Sequence, residues 1–373
     1  MDALMLPLNW QRVRLGDIGK PCMCKRVMKH QTTRYGEIPF YKIGTFGNTA
    51  DAFISKKLFL EYKTKYSFPK KGDILISASG TIGRAVIYDG KPAYFQDSNI
   101  VWIDNDETLV KNDFLFYAYS SVKWNTEHTT ILRLYNDNFR NTLIPLPPLN
   151  EQSAIANILS GLDRYLCALD ALILKKEGVK KTLSFELLSQ RKRLKGFNQA
   201  WQRVRLGDIA NYLTSNLSVE QITQQGKIKV YDVNNFIGYT DTTFISDKPY
   251  ISIVKDGSVG RVRILPPKTN ILSTMGALIA NHRTTTEFLF YLLSNFDFKN
   301  FTSGSIIPHI YFKDYKEKTI FLPPLNEQIA IANILSALDN EITSLKNKKR
   351  QFENIKKALN HDLMSAKIRV LKK

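Results

Sequence analysis

The feature that most restricts how this chain can fold is its internal duplication. PPLNEQSAIANILSGLD, Pro147 to Asp163, returns as PPLNEQIAIANILSALD, Pro323 to Asp339, with fifteen of seventeen positions identical. WQRVRLGDI, Trp10 to Ile18, returns unchanged at Trp201 to Ile209. The openers lie 191 residues apart (10 to 201) and the closers 176 (147 to 323), so the second intervening segment is 15 residues shorter. Ends that match around middles that differ predict a common frame carrying two unlike recognition surfaces.

The closing phrase predicts a helix start. Consecutive prolines remove N–H donors and hold the preceding residue extended, so Pro148 and Pro324 stop whatever comes before. Asn150 and Asn326 suit the N-cap, Glu151 and Glu327 put negative charge in the first turn, and Gln152 and Gln328 follow. Downstream, Ile155, Leu159, Leu162, Leu166, Leu169 and Ile173 step by four and three, the seam of a coiled coil. The pattern loosens at Gly178. In the second copy the stripe is Ile331, Leu335, Leu338, Ile342, Leu345, Phe352 and Leu359. Each stripe needs a partner and the other is the one available, so the helices should pair antiparallel. At about 1.5 Å per residue, some 40 residues make a rod of roughly 60 Å. One globular domain at each end, a pseudo-two-fold relation and neighbouring chain termini are then expected.

The middles mix strands with one or two helices. IPFYKIG, DILISAS, RAVIYD and NIVWID are β-rich runs bounded by turn residues, and IKVYDV, YISIV, RVRIL and NILSTMGALIA are theirs in the second copy. NDFLFYAYSSV and TEFLFYLLSNF look helical. The expected fold is α+β, two pseudo-repeated mixed α/β domains separated by two long helices that pair as an antiparallel coiled coil. Its boundaries fall at 1–148, 149–196, 197–324 and 325–373.

Catalytic motifs are missing. There is no GxxxxGK[ST] phosphate loop, GxGxxG turn, HExxH or Gly-x-Ser-x-Gly elbow. Methyl transfer to a base would need a cofactor-binding Gly motif and Asn or Asp before Pro-Pro-aromatic, and neither occurs. His30, His128, His282, His309 and His361 are scattered. Cys22 and Cys24 form C-x-C without a second pair, and Cys167 stands alone, so no metal is expected. No apolar run approaches the roughly 20 residues that span a bilayer, and the first residues lack a basic lead-in with an apolar core, so a cytoplasmic protein is expected.

Binding features are more specific. Lys and Arg outnumber Asp and Glu by 53 to 34, and the resulting +19 favours a polyanionic partner over mere solubility. From Lys175 to Lys195 eight basic residues face two acidic, and from Glu341 to Lys373 ten face three; solvated helix faces account for most of these. The loop after the opener carries Lys25, Arg26, Lys29 and Arg34. A hairpin with two glycines follows in each copy, SASGTIGR with Ser79, Thr81 and Arg84, and KDGSVGR with Ser258 and Arg261, then Arg263. Such loops can aim N–H, hydroxyl and guanidinium groups outward at phosphates or base edges, with Lys229 nearby in the second copy. The alternative is an ordinary hairpin whose glycines only permit the turn. Tyr94, Phe95 and Tyr250 suit the core better than base stacking.

On these residues, PPLNEQ at Pro147 and Pro323 with GDILIS and SGTIG between Gly72 and Gly83, the chain resembles the specificity subunits of type I restriction-modification systems, over essentially its whole length. The second copy departs from the pattern: YISIVKDGSVG has no Gly-Asp before the strand, which leaves that loop's geometry open. The resemblance implies two target-recognition domains, each reading half of a bipartite, non-palindromic sequence in double-stranded DNA, with the paired helices as ruler. It implies no catalysis on this chain. Two methyltransferase subunits using S-adenosylmethionine would dock at the helix starts and along the helices, and a restriction and translocation subunit using ATP and Mg would join them. The rival readings are a single-chain restriction endonuclease or methyltransferase, and a coiled-coil protein scaffold with incidental charge.

Overall fold

A computed structural model describes residues 7, 9–125, 127–128 and 132–370. The chain forms two compact units: residues up to Leu169 together with those from Lys348 on, and residues Asp170 to Asn347. Both long helices are present, Leu149–Leu188 and Leu325–Met364. Each lends roughly half its length to each unit, so the units cut across the boundaries read at 148, 196 and 324.

In the first unit, Gln11–Arg14 pairs antiparallel with Leu143–Leu146, with Val13 opposite Ile144. The repeated opener is thus hydrogen-bonded to the strand that leads into the repeated closer. The main sheet is antiparallel in the order Gly19–Met23, Ile100–Asn105, Ile74–Ser77, Ala85–Ile87. Both its faces are covered. Ile74, Ile76, Val101 and Ile103 join Phe114, Leu115, Ile155 and Leu159 in one core, while Leu75, Ile100 and Trp102 join Tyr94 and Phe95 in another. Strands covered on both faces show unbroken apolar runs, which is why DILIS and NIVWID stood out. A second sheet holds Phe53–Ile54, Ile38–Tyr41 and Tyr94–Phe95, and the last two run parallel. Helix Asn112–Ser121 lies where expected. Strand Gly19–Met23 and helix Lys56–Lys65 were not foreseen; the helix has a single buried residue, Phe59, too few for a readable stripe.

The second unit repeats this order with Ala210–Thr214, Met275–Ala280, Tyr250–Val254 and Val262–Leu265. Gln202–Arg205 pairs with Thr319–Leu322, and Thr286–Ser294 is helical. The run NILSTMGALIA is not one strand. Asn270–Ile271 joins the second sheet and Met275–Ala280 the first, because a turn from Leu272 to Met275 breaks the run, with the Met275 N–H on the Leu272 carbonyl at 3.0 Å.

The helix segments pair antiparallel within each unit. In the first, Lys356 reaches Asp163, the Tyr165 and Phe352 rings lie 4.7 Å apart, and Leu159 shares a core with Leu363 and Met364. In the second, Lys176 meets Glu341 at 2.8 Å, Lys180 meets Asp339 at 2.5 Å, and Leu187 shares a core with Ile331 and Leu335. Ile155, Leu159, Leu169, Ile173, Ile331, Leu335 and Ile342 are buried, whereas Leu162, Leu166, Leu338 and Leu345 are half-buried. A two-helix seam is narrow and its flanks stay wet.

The helices begin one residue before Asn150 and Asn326, which are therefore second residues, not N-caps. The Pro148 carbonyl accepts the Glu151 and Gln152 N–H groups at 2.9 Å each, and the Asn150 side-chain oxygen still takes the Glu151 N–H at 2.9 Å. The first helix runs on through Gly178. Each helix closes through a left-handed residue, Gln190 (φ 63°) or Ala366 (φ 57°). Lys192 N–H then returns to the Glu186 carbonyl and Ile368 N–H to that of Asp362, which gives these last-turn carbonyls a donor.

Candidate nucleic-acid interface

The repeated closing phrase is occupied with holding each unit together. Glu151 is 2% exposed and accepts from Trp10 Nε1 at 3.1 Å and from Arg369 Nε and Nη2 at 2.6 and 2.8 Å. Glu327, fully buried, accepts from Trp201 Nε1 at 3.0 Å and from Arg193 Nε and Nη2 at 3.1 and 2.6 Å. A carboxylate withdrawn from water needs such a forked cation and a further donor. The first of these clusters brings Trp10 and Arg369 together inside one unit; the termini themselves, expected to be neighbours, lie outside the described residues.

Gln152 donates to the Leu109 and Pro147 carbonyls at 2.9 and 2.8 Å and accepts the Lys111 N–H at 2.8 Å. Gln328 donates to the Arg283 and Pro323 carbonyls at 2.9 Å each and accepts from the Thr284 hydroxyl and Thr285 N–H. Glu151, Gln152, Glu327 and Gln328 are thus buried and bonded within their own units, which corrects the expectation that they face a docked partner; Asn150 and Asn326 are exposed, and Pro148 and Pro324 half-buried.

A third repeated cluster was missed. Tyr117 donates to Asp163 at 2.7 Å and Tyr291 to Asp339 at 2.9 Å, with Lys356 and Lys180 on the same carboxylates and over the same rings. Burial first, and the carboxylate acceptor second, push both phenols above their ordinary range. Two signals could have found it. FLFY stands in both short helices, and the repeat runs beyond Asp339 at the same 176-residue offset, matching Lys180 to Lys356 and Arg193 to Arg369.

The glycine hairpins depart from expectation. In the first, two hydroxyls turn inward: Ser77 bonds to the Thr81 carbonyl and accepts the Arg84 N–H, and Ser79, 6% exposed, donates to Asn99 at 2.8 Å. The Arg84 Nη1 donates to the Phe46 carbonyl and the Arg263 Nη1 to that of Asn234, each at 2.9 Å. Gly83 (φ +82°) lies beneath Trp124, and a Cβ there would sit 2.1 Å from Nε1; Gly260 (φ +81°) lies beneath Phe298, with a Cβ at 2.7 Å. Packing beneath an aromatic therefore explains why the loop recurs.

Among the remaining candidates, Arg26 is paired with Asp97 at 2.8 Å, while Lys25 and Lys229 rest over the Tyr66 and Phe236 rings. Lys29, Arg34, Thr81, Ser258 and Arg261 have exposed side chains without an ion-pair partner among the described residues. Tyr94, Phe95 and Tyr250 are core residues. No group of three or more His, Cys, Asp or Glu converges among the described residues, and the His128 side chain lies outside them. No described helix is long and apolar enough to cross a membrane.

Residues 7–176 and 198–354 match the family described as type I restriction modification DNA specificity domain. A type I restriction enzyme specificity subunit of Methanocaldococcus jannaschii is 25% identical over 99% of this chain and 95% of its own length. A protein of Haemophilus influenzae with the same description is 64% identical over 148 residues, so the chain spans only 38% of that relative. The crystal structure of the S subunit of a type I restriction-modification system from M. genitalium has the same fold, with a TM-score of 0.65, 21% identity and coverage of 96% of this chain and 98% of that one.

Proposed function

We propose a function from this premise: the chain belongs to the type I restriction modification DNA specificity family. Each unit reads one half of a bipartite, non-palindromic target in double-stranded DNA. The observation that carries this reading is that the two units share the same internal bonds at their openers and closers while the loops held by that frame differ in sequence. The forty-residue helices, about 60 Å long, act as the ruler for half-sites roughly one helical turn, ~34 Å, apart.

Two methyltransferase subunits carrying S-adenosylmethionine dock on the helices by their exposed faces, not by the buried Glu and Gln of PPLNEQ. A restriction and translocation subunit using ATP and Mg completes the assembly. The chain contributes recognition and no bond-making step, a reading supported by the lack of phosphate-loop, methyltransferase and metallohydrolase motifs in its sequence.

Sequencing the methylome of the source cell with and without this gene tests the proposal. A gene-dependent motif with two unlike halves and a fixed spacer is expected; an unchanged methylome overturns it. Binding of the assembled complex should also fall steeply with salt, because phosphate contacts release counterions.

A further inference from the structure

We propose that the hairpin of residues 302–310 is a reading wedge of the second unit, its tip residues Ile306 and Ile307 set against base edges of that unit's half-site. This rests on the function proposed above.

Ile306 is 92% exposed, the most of any large hydrophobic side chain among the described residues, and Ile307 beside it is 54% exposed. The tip is nevertheless held firmly. Thr302–Ser303 pairs with His309–Ile310. Gly304 takes φ +90°, and a Cβ there would sit 2.3 Å from the Ile307 carbonyl oxygen, so only glycine lets the turn close. The hairpin is then stitched to the glycine loop beside it: Ile310 N–H to the Lys255 carbonyl and Gly257 N–H to the Pro308 carbonyl, both at 2.9 Å, with His309 Nδ1 2.7 Å from Asp256 Oδ1. Two β-branched apolar side chains fixed in solvent on a braced turn call for an occupant.

The rim shows which occupant. Arg261 and Lys299 are exposed and have no ion-pair partner among the described residues, and Ser258, Ser303 and Ser305 are exposed with them, while the Thr302 hydroxyl donates to the Phe298 carbonyl at 2.9 Å. Cations and hydroxyls around an apolar tip complement a duplex, phosphates on the outside and thymine methyls or an opened base step within. An apolar protein surface would use the isoleucines and leave the cations idle.

The first unit has the same brace written in other residues. A backbone bridge joins Ser79 to Arg133 where Asp256 joins His309, and Leu134 N–H meets the Ala78 carbonyl where Ile310 N–H meets that of Lys255. One framework built from different residues is what two unlike half-sites require.

The test uses the full chain co-purified with its partner subunits, on a duplex carrying the methylome-derived motif. A photo-crosslinking benzophenone side chain at position 306 should crosslink to DNA within one half-site, and scrambling that half should abolish the crosslink while scrambling the other should not. The double variant Ile306→Ser, Ile307→Ser should melt as the parent does, bind the cognate duplex about tenfold more weakly or worse, and relax the methylated motif in that half alone. A crosslink to protein, no crosslink from a complex that binds, or an unchanged motif in the variant overturns the wedge. An unsubstituted protein that yields no gene-dependent motif overturns the underlying function instead.

Discussion

Around Glu151 and around Glu327 the same three side-chain types meet with the same donors, whereas around Gly80 and Gly257 the chain builds the same turn with matching backbone bonds but different side-chain bonds. In the first unit a buried Ser79 holds Asn99; in the second Asp256 holds His309. The difference teaches what sequence identity means in this duplication. Identical residues mark bonds that close a unit, and those bonds leave no atoms for a ligand. Diverged residues lie on the loops the frame supports, where surface chemistry can change without loosening a core.

Substitutions can break this comparison. Glu327→Ala leaves Arg193 and Trp201 Nε1 without their acceptor and should cost about 3 kcal/mol in urea unfolding, as is typical when one partner of a buried pair is removed. Glu151→Ala should cost a similar amount; a loss confined to one copy would show that matched sequence does not mean matched energetics. Gly83→Ala and Gly260→Ala, which drive a methyl into Trp124 and Phe298, should each cost about 2 kcal/mol or more, against about 1 kcal/mol for Gly80→Ala or Gly257→Ala, where only the backbone conformation resists.

The arginines of the two loops sharpen the contrast further. Arg84→Ala should lose about 1 kcal/mol of stability with its bond to the Phe46 carbonyl, and the salt dependence of DNA binding should stay as it was. Arg261→Ala should leave stability within about 0.5 kcal/mol and reduce the salt slope by about 1.

The smallest effect is alkaline. Tyr117 and Tyr291 hold their protons above the ordinary value of 10.0 in the folded chain. The unfolded chain therefore loses these protons first as pH rises, so their contribution to stability is intact below about pH 10 and declines above it. Replacing both with Phe should flatten that decline in melting temperatures measured from pH 9 to 11.

Much of the fold was legible because sheets covered on both faces leave dense apolar runs and a coiled-coil stripe leaves a seven-residue rhythm. PPLNEQ was legible as a helix start. Its chemistry was not, since the guanidinium that neutralises Glu151 stands 218 residues later and the one for Glu327 stands 134 residues earlier. The inward hydroxyls of the first glycine hairpin were hidden for the same reason: Phe46, Asn99 and Trp124, which surround it, come from three separate stretches of the variable middle. Exposure at Ile306 could not be read because a lone Ile-Ile pair beside proline looks like any short strand.

The two glutamate clusters also differ in when they can form on the ribosome. Arg193 waits for Glu327 while 134 further residues are made, whereas Glu151 waits for Arg369 through 218, roughly 10 to 40 s at ordinary elongation rates. Leu363 and Met364 reach the core of that same unit only then. The lobe translated first is the last to be completed, and until then the core side chains that meet Leu363 and Met364, and the Glu151 carboxylate, lack those partners.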